Sequence, residues 1–554
     1  MADLKTHKEE ESNLNDKFAE SCKVEETAKT TSSKKKKNKK KNVVLENINP
    51  FYEKAFANYP VHLKNTKTKG RHAVASEELP EGATVSLETA TAFVVRSEFI
   101  DQNCHFCLAD LTQKVICSNC SLSYYCSETC SSKDHTLHQP VCNAFSQVQA
   151  IAHATDVDVD LLRLMLLLLA RRHMDSQSNQ EDVTPFWCVE DLLSHIESAP
   201  AAFKQVVTAA SERLLSELPE SVQIPVEDMV SLACRINSNA HGLGDNHSRN
   251  TDVALGLFPL GALFFNHGCN PNTAFVGLPN GQLAFRTIRS VQKDEELVVS
   301  YIDIYSDRDE RRQELLTTKH FWCKCKRCAS PLEKSIDRFL QGVVCNQCEK
   351  DVYMIPATNI DLLMKGERSL MIENTFKCAS CGHELEGQIL RQSLDEAHSK
   401  YAAGMAYIKQ KRDYIRGGQQ LEALTKKSGH KKGDIHSLHS IRFNSYIPLM
   451  NCMRYNGNLK GAIEANKSIL SLMEQYATVG GLPSNTSEHS DYWQNLGELC
   501  EKMANESSSA ILEKKWLKEA RHAFVQALNI RAVTFGKTHL KTQHIQQSID
   551  KIKL

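Results

Sequence analysis

The residues with the clearest chemistry in this chain are cysteines, and their spacing assigns them to metal. Cys269, followed more than fifty residues later by Cys323, Cys325 and Cys328 (CKCKRC), offers four thiolates suited to one tetrahedral zinc. Such an ion ties the segment LFFNHGCNPN (Leu263–Asn272) to FWCKCKRC (Phe321–Cys328). Upstream, Cys104, Cys107, Cys117, Cys120, Cys126, Cys130, His138 and Cys142 supply seven thiolates and one imidazole, enough for two further tetrahedral sites. His135 competes with His138, and the H-x3-C spacing to Cys142 favours His138. Farther on, the knuckles CNQC (Cys345, Cys348) and CASC (Cys378, Cys381) are separated by 29 residues and read as a zinc ribbon. At the Cys269 centre four thiolates leave no open position for water, so that ion is expected to be structural. Within Leu263–Cys328 one side chain has a different character. Tyr301 ends EELVVSY, a β-branched run that reads as a strand.

Bulk properties narrow the setting. The chain has 554 residues, too many for one core, and roughly three to four domains are expected. Lys+Arg and Asp+Glu each number 67, so net charge says nothing about partners. No apolar run approaches the ~20 residues of a membrane span. The longest, LLRLMLLLLA (Leu161–Ala170), contains Arg163 and reads as a buried helix. The N-terminus lacks the apolar stretch of a signal peptide, so an intracellular chain is expected. Of 20 cysteines, 15 fall into the metal-like groups, and Cys22, Cys188, Cys234, Cys452 and Cys500 stand alone. That pattern speaks for metal rather than disulfides.

The elements that must position these residues follow from composition and period. Residues 1–48 are polar and are expected to be disordered, with seven lysines packed into positions 34–41. That block is a candidate nuclear-localisation or polyanion contact, or simply a solvated tail. Thr68–Glu88 reads as a basic turn, a strand, a Pro-Glu-Gly turn and a second strand. The cysteine-rich stretch 103–142 is too short for an adequate core, so its metals must supply much of the folding energy. Helical periodicity runs from 143 to 234. From 388 to 554 helices alternate with short turns, and small residues (Gly461, Ala462, Ala520, Ala523, Ala527) face large ones at helical spacing. That pattern resembles degraded tetratricopeptide repeats.

Taken together, N-H-x-C-x-P-N, E-L-x-x-x-Y and C-x-C-x-x-C resemble the core of a SET domain. The eight-ligand stretch resembles a MYND finger. The whole order resembles the SMYD family of protein-lysine methyltransferases. The resemblance implies an α+β fold: a SET β-fold (49–102 and 235–305) split by a MYND finger (103–142) and a helical insert (143–234). A post-SET zinc site (306–330), a ribbon-like unit (331–387) and a TPR-like helical domain (388–554) follow. It further implies that Cys104, Cys107, Cys126 and Cys130 hold one finger zinc and Cys117, Cys120, His138 and Cys142 the other.

By the same resemblance, S-adenosyl-L-methionine is expected to contact Lys69, Gly70, Arg71, Asn237, Asn266, His267 and Phe321, with Tyr301 as the catalytic tyrosine. Asn239 is a rival to Asn237. The chain departs from the family in carrying Gly268 where serine is common and Asp294 where glycine is common. His72 stands where a second glycine is frequent, and it is expected to narrow the cofactor entrance. The implied activity is methyl transfer to lysines of histone or non-histone proteins in nucleus and cytoplasm, with a role in transcriptional regulation. An alternative is a catalytically weak, zinc-rich adaptor that binds peptides through the finger and the helical domain. Direct nucleic-acid binding is secondary, because nothing resembles a groove-entering helix.

Overall fold

A computed structural model describes residues 48–177, 183–244, 252–426 and 434–553. The lysine block at 34–41 lies outside the described residues. After a short helix α1 (Pro50–Phe56), strands β1 (Val61–Thr66) and β2 (Gly70–Ala75) form an antiparallel hairpin in the register Val61↔Ala75 to Thr66↔Gly70. Gly70 takes φ +65°, a left-handed value that closes the Lys67–Lys69 turn at little cost. Strand β3 (Thr84–Thr89) is followed closely by β4 (Ala92–Val95), and there the sheet is interrupted.

The interruption begins with the finger, a two-residue hairpin β5 (Val115–Ile116) and β6 (Tyr124–Tyr125) followed by α2 (Glu128–His138). The Ser127 hydroxyl accepts from the Cys130 amide and starts α2. Helices α3 (Cys142–Thr155), α4 (Val159–Gln177), α5 (Ala201–Ser216) and α6 (Val226–Asn239) form the insert. The apolar run read as a buried helix is α4, whose Leu162, Leu164, Met165, Leu166, Leu168 and Leu169 are fully buried. Arg163 is buried among them because it is paired. Its guanidinium donates to the Val95 carbonyl at 2.6 Å and to Asp160 at 3.1 Å, while Asp160 accepts from Ser97. The polar interruption therefore fastens α4 to the end of β4.

The chain then returns through β7 (His241–Gly244) and β8 (Asp252–Leu257), which complete the sheet β4-β8-β7. Helix α7 (Pro259–Phe264) leads into β9 (Asn266–His267). Strand β10 (Thr273–Leu278) pairs with β11 (Gln282–Thr287), which pairs with β3, and β12 (Val298–Val299) lies parallel to β9. Residues 295–297 run beside β2, through Ala75 N to Glu295 O at 3.0 Å and Leu297 N to Ala73 O at 2.9 Å. The early hairpin and the late strands thus become one unit. Phe265 stacks on Phe285 with ring centroids 4.1 Å apart. A Cβ on Gly261 would come within 2.4 Å of the Phe285 ring, so only glycine fits there.

Glu88 lies beneath this segment, fully buried, and accepts from the Leu260 and Gly261 amides and the Thr184 hydroxyl. Burial outweighs those donors and pushes its carboxyl up to about 7 from an ordinary 4.5.

Helix α8 (Arg308–Lys319) opens with a capping box between Asp307 and Glu310. Its Arg308 and Arg311, with Arg327, converge on Asp337 at 3.3, 3.0 and 2.7 Å, and all four side chains are essentially inaccessible. The long interval between the ribbon knuckles is occupied by two short helical turns, Ile360–Met364 and Ser369–Ile372. This interval is pinned to α8 by Thr358 to Asp309 at 2.5 Å and by Arg368 to Asp307 at 3.2 Å. Strands β13 (Thr375–Lys377) and β14 (Glu384–Glu386) finish that unit.

The remaining helices, α9 (Gly387–Lys409), α10 (Tyr414–Thr425), α11 (Ser440–Tyr455), α12 (Leu459–Gly480), α13 (Ser487–Asn505), α14 (Ala510–Thr534) and α15 (Leu540–Lys551), pack in sequence on their neighbours. Ala462, Ala520, Ala523 and Ala527 are fully buried, and Gly497 admits the Phe524 ring where a Cβ would clash at 2.5 Å. The array folds back onto the sheet through Arg286 to Val533 O, Asn485 to Ile288 O and Asn270 to Gly481 O.

Two outcomes follow. Asp337→Ala leaves three buried guanidiniums without their shared anion and should cost about 3–5 kcal/mol by denaturant unfolding. For Glu88 the folded-state value is raised, so the folded chain holds a proton that the unfolded chain releases. Its contribution is present below pH 4.5 and lost as pH rises through about 7. Unfolding free energy should therefore carry a falling component across that window, and Glu88→Gln should remove it.

Candidate functional site

A cleft of about 1400 Å³ runs between the sheet, the helical insert, the cysteine tail and the end of α12. It gathers residues far apart in sequence: Lys69 from the β1–β2 turn, Gly70 and Arg71 from the start of β2, Asn266 and His267 from β9, Tyr301, and Phe321. Asn237 is not among them. It is exposed on the last turn of α6, whereas Ser238 and Asn239 line the cleft. Helical rotation turns successive residues by about 100°, so positions two apart face away from each other. The Asn239 amide donates to Leu193 O at 3.1 Å and Arg235 O at 2.9 Å, which fixes its side chain at the helix end. His72, expected to narrow the entrance, is instead buried with Nδ1 2.9 Å from Gly70 O, because it sits in β2 rather than in the turn.

The two halves are stitched by side chains. The Asn266 amide donates to Lys69 O and Arg71 O, each at 3.2 Å, and Lys69 pairs with Glu296 at 2.5 Å. Arg71 donates to Asp191 O at 2.7 Å, which draws the insert to the same edge. Asn272, fully buried, donates to Glu296 O at 2.8 Å and accepts from Val298 N at 2.9 Å. That residue holds N-H-x-C-x-P-N against the strand leading to Tyr301. Its role was not evident in the sequence, where it read only as the motif's last letter. Gly268 has a packing reason of its own: a Cβ there would lie 2.8 Å from Val298.

His267 is central. Its Nδ1 accepts from Tyr301 N at 3.1 Å and its Nε2 lies 3.1 Å from Cys269 Sγ. Burial lowers the ring to about 4, so it is neutral, and an accepting Nδ1 puts the proton on Nε2, facing the thiolate. One imidazole thus spans the cysteine cluster and the backbone of Tyr301. The Tyr301 hydroxyl donates to Phe265 O at 2.9 Å. Burial, and secondarily the Glu296 charge, raise the phenol well above its ordinary value. It stays protonated as a hydrogen-bond donor and does not serve as a base. Lys319, the last residue of α8, reaches into the cleft. Its ammonium donates to Ser238 O at 2.7 Å and lies 5.8 Å from the Tyr301 ring centroid. The sequence offered no signal for it beyond its place two residues before Phe321.

Four ligand groups stand out among the described residues: Cys104, Cys107, Cys126 and Cys130; Cys117, Cys120, His138 and Cys142; Cys269, Cys323, Cys325 and Cys328; Cys345, Cys348, Cys378 and Cys381. Within each, the ligand atoms lie within 4.8 Å of one another. A tetrahedron with Zn–S of 2.3 Å has edges of about 3.8 Å. The measured Sγ–Sγ distances include 3.6 and 3.5 Å (Cys107–Cys126, Cys126–Cys130), 3.7 Å (Cys117–Cys142), 3.8 Å (Cys269–Cys323) and 3.7 Å (Cys345–Cys381). Thiols that need only pack have no reason to adopt these edges, and the donor sets fit zinc. The finger pairs interleave, and His138 is buried beside Cys120 at 3.4 Å while His135 is exposed. Arg311 approaches Cys328 Sγ at 3.7 Å, and Arg327 donates to Cys269 O at 2.9 Å, so the Asp337 cluster braces the third centre.

Comparison with known proteins agrees with this geometry. Residues 70–302 match the SET domain family model. The chain is 25% identical over 291 residues to the histone-lysine N-methyltransferase ASHR1 of Arabidopsis thaliana, covering 51% of this chain and 58% of that protein. It is 25% identical over 228 residues to the Mus musculus histone-lysine N-methyltransferase SMYD3, covering 41% and 51%. It is also 25% identical over 291 residues to the Mus musculus histone-lysine N-methyltransferase Smyd1, covering 50% and 57%. The matched region thus spans between half and three-fifths of these relatives' length.

Elemental analysis of the purified chain should return close to four zinc ions, and Cys269→Ser should lose one of them. A total near two would remove the ribbon and the Cys269 centre together.

Proposed function

We propose that this chain, a member of the SET and MYND domain-containing (SMYD) family, transfers a methyl group from S-adenosyl-L-methionine to a lysine side chain of a protein substrate. The observation that carries the reading is the cleft itself. It brings Tyr301, the Asn266–Lys69–Arg71 stitch and Phe321 into one space between elements far apart in sequence. The site suits the cofactor. It is larger than the 300–1,000 Å³ of an ordinary ligand site, with room for a second reactant, and it combines an aromatic wall with charged and amide groups.

When bound, S-adenosyl-L-methionine supplies an electrophilic sulfonium methyl. The chain's own residues do the rest. Lys69–Arg71, Asn239 and Asn266 would hold polar groups of the cofactor, and Phe321 would cover its adenine. Transfer is an in-line displacement by a neutral amine, so the protein must align donor and acceptor and exclude water from the amine. Alignment accounts for several kcal/mol of barrier, and desolvation lowers the acceptor lysine's pKa so that the neutral form is accessible. Tyr301, fixed at both its amide and its hydroxyl, positions that amine. The released proton passes to solvent. The four zinc centres are structural in this scheme, and the one containing Cys269 shapes the wall behind Tyr301. The finger and helical array are assigned to peptide partners, histone or non-histone proteins to the substrate, and nucleus and cytoplasm to the place of action.

Labelled S-adenosyl-L-methionine offered with a lysate should label protein. Tyr301→Phe should reduce transfer about 10²–10³-fold while retaining cofactor. Absence of both cofactor binding and transfer above the variant would overturn the reading in favour of a zinc-rich adaptor.

A further inference from the structure

The charges lining the cleft are not balanced. Three carboxylates face it among the described residues, and each is already engaged: Glu296 by Lys69 at 2.5 Å, Glu295 by Arg289 at 2.9 Å, and Asp191 by Arg71 at 3.6 Å. Among the described residues, four lysines that also line it have no carboxylate partner. Lys319 is held by the Ser238 carbonyl, while Lys324, Lys326 and Lys334 are exposed and their ammonium groups meet no hydrogen-bond or ion-pair partner among those residues.

The bland account of Lys324 and Lys326 is that they neutralise the adjacent cysteine centre, since they alternate with its ligands. The buried groups already do that. A zinc with four thiolates carries two negative charges, and Asp337 adds a third. Arg308, Arg311 and Arg327, packed against them, supply three positive charges. Arg312 adds another, donating to Cys323 O and Cys328 O and stacked on Trp322 at 4.2 Å. Nothing is left for the rim lysines to compensate. Lys334 lies beyond the centre altogether, after the last ligand, and faces the same cleft.

We infer that Lys324, Lys326 and Lys334, with Lys319 innermost, form a recognition rim for an acceptor polypeptide whose target lysine is flanked by acidic side chains. The inference rests on the methyltransferase reading for the word acceptor. Ile336, with Val479 and Gly480 at the end of α12, adds an apolar and uncharged patch to the lining. Charge selection is left to the lysine rim. A lysine set among arginines and lysines would bring its own cations against four unpaired ones, and like charges so placed oppose binding.

The test uses the full zinc-loaded chain and three peptides of equal length. Each carries one central lysine, flanked by glutamates, by serines or by arginines. Binding is read by fluorescence anisotropy without cofactor, and transfer is read separately with labelled S-adenosyl-L-methionine. The glutamate peptide should bind at least tenfold more tightly than the arginine peptide at about 50 mM salt, with the gap closing as screening increases. Lys334→Glu should shrink that gap several-fold, and Lys324→Glu/Lys326→Glu/Lys334→Glu should reverse the order. Zinc content and retention of labelled cofactor report that each variant is folded. Equal binding of the three peptides, or an order that the variants do not change, would overturn the inference while label on lysate proteins kept the enzyme reading intact. Failure of transfer to every acceptor would count against the enzyme reading alone, because the cofactor-free ranking still decides the rim. A duplex oligonucleotide that bound more tightly than the glutamate peptide, with its affinity lost in the Lys→Glu variants, would reassign the rim to nucleic acid.

Discussion

The structure depends on a buried electrostatic cluster. Asp337 receives three guanidiniums in a region without solvent, and burial, which alone would raise its carboxyl, is overcome by Arg327 and Arg311, which hold it well below the ordinary range. A buried ion pair is a poor source of net stability, because desolvation opposes the Coulombic gain. It is a strict source of arrangement. Arg308 and Arg311 come from α8, Arg327 from the cysteine tail, and Asp337 from the start of the segment leading to the ribbon. Only one relative placement of the three satisfies the charges. Arg327 also donates to Ile304 O at 2.6 Å, just past Tyr301, so that placement reaches the strand end that carries Tyr301.

From this cluster the constraint passes inward by short steps. Arg327 holds the backbone at Cys269, Cys269 lies against the His267 ring, and His267 accepts from the amide of Tyr301. Asn272 fixes the same loop to β12 from the other side. The zinc centre is therefore more than a remote staple. Its Cys269 faces the Nε2 proton of the imidazole whose Nδ1 holds the Tyr301 amide, in the way an outer shell of hydrogen bonds commonly orients a metal site.

Local signals in the sequence were sufficient for the ligand sets. C-x2-C knuckles report a turn that presents two thiolates together, which made ten of the sixteen ligands readable locally, while the division of the finger ligands into two sets came from the family resemblance. The buried helix at Leu161–Ala170 was legible for a similar reason, since an apolar run with one charge calls for a buried partner. Asn237 was misplaced because the choice between it and Asn239 depends on where α6 stops, and helix ends are set by contacts to Leu193 and Arg235 rather than by propensity. His72 was misjudged because β2 already begins at Gly70, which turns the His72 ring into the buried face. Lys319 and the rim lysines carried no local signature at all. Their importance lies in which carboxylates elsewhere are already occupied, and that is a property of the folded surface.

The division of the sheet by the finger and the helical insert has a consequence for how the molecule is made. Arg71 and Phe321, opposite walls of one cleft, are separated by about 250 residues, so at the ordinary pace of synthesis the first wall waits on the order of ten to fifty seconds for the second. During that interval the β1–β2 hairpin has no partner for its later contacts at Glu295–Leu297. The finger and the all-helical insert, whose contacts are mostly local, can consolidate meanwhile beside it. Emergence of Glu295–Leu297 then gives the early strands their neighbour, and Cys328 and Asp337 follow to brace that arrangement through Arg311 and Arg327.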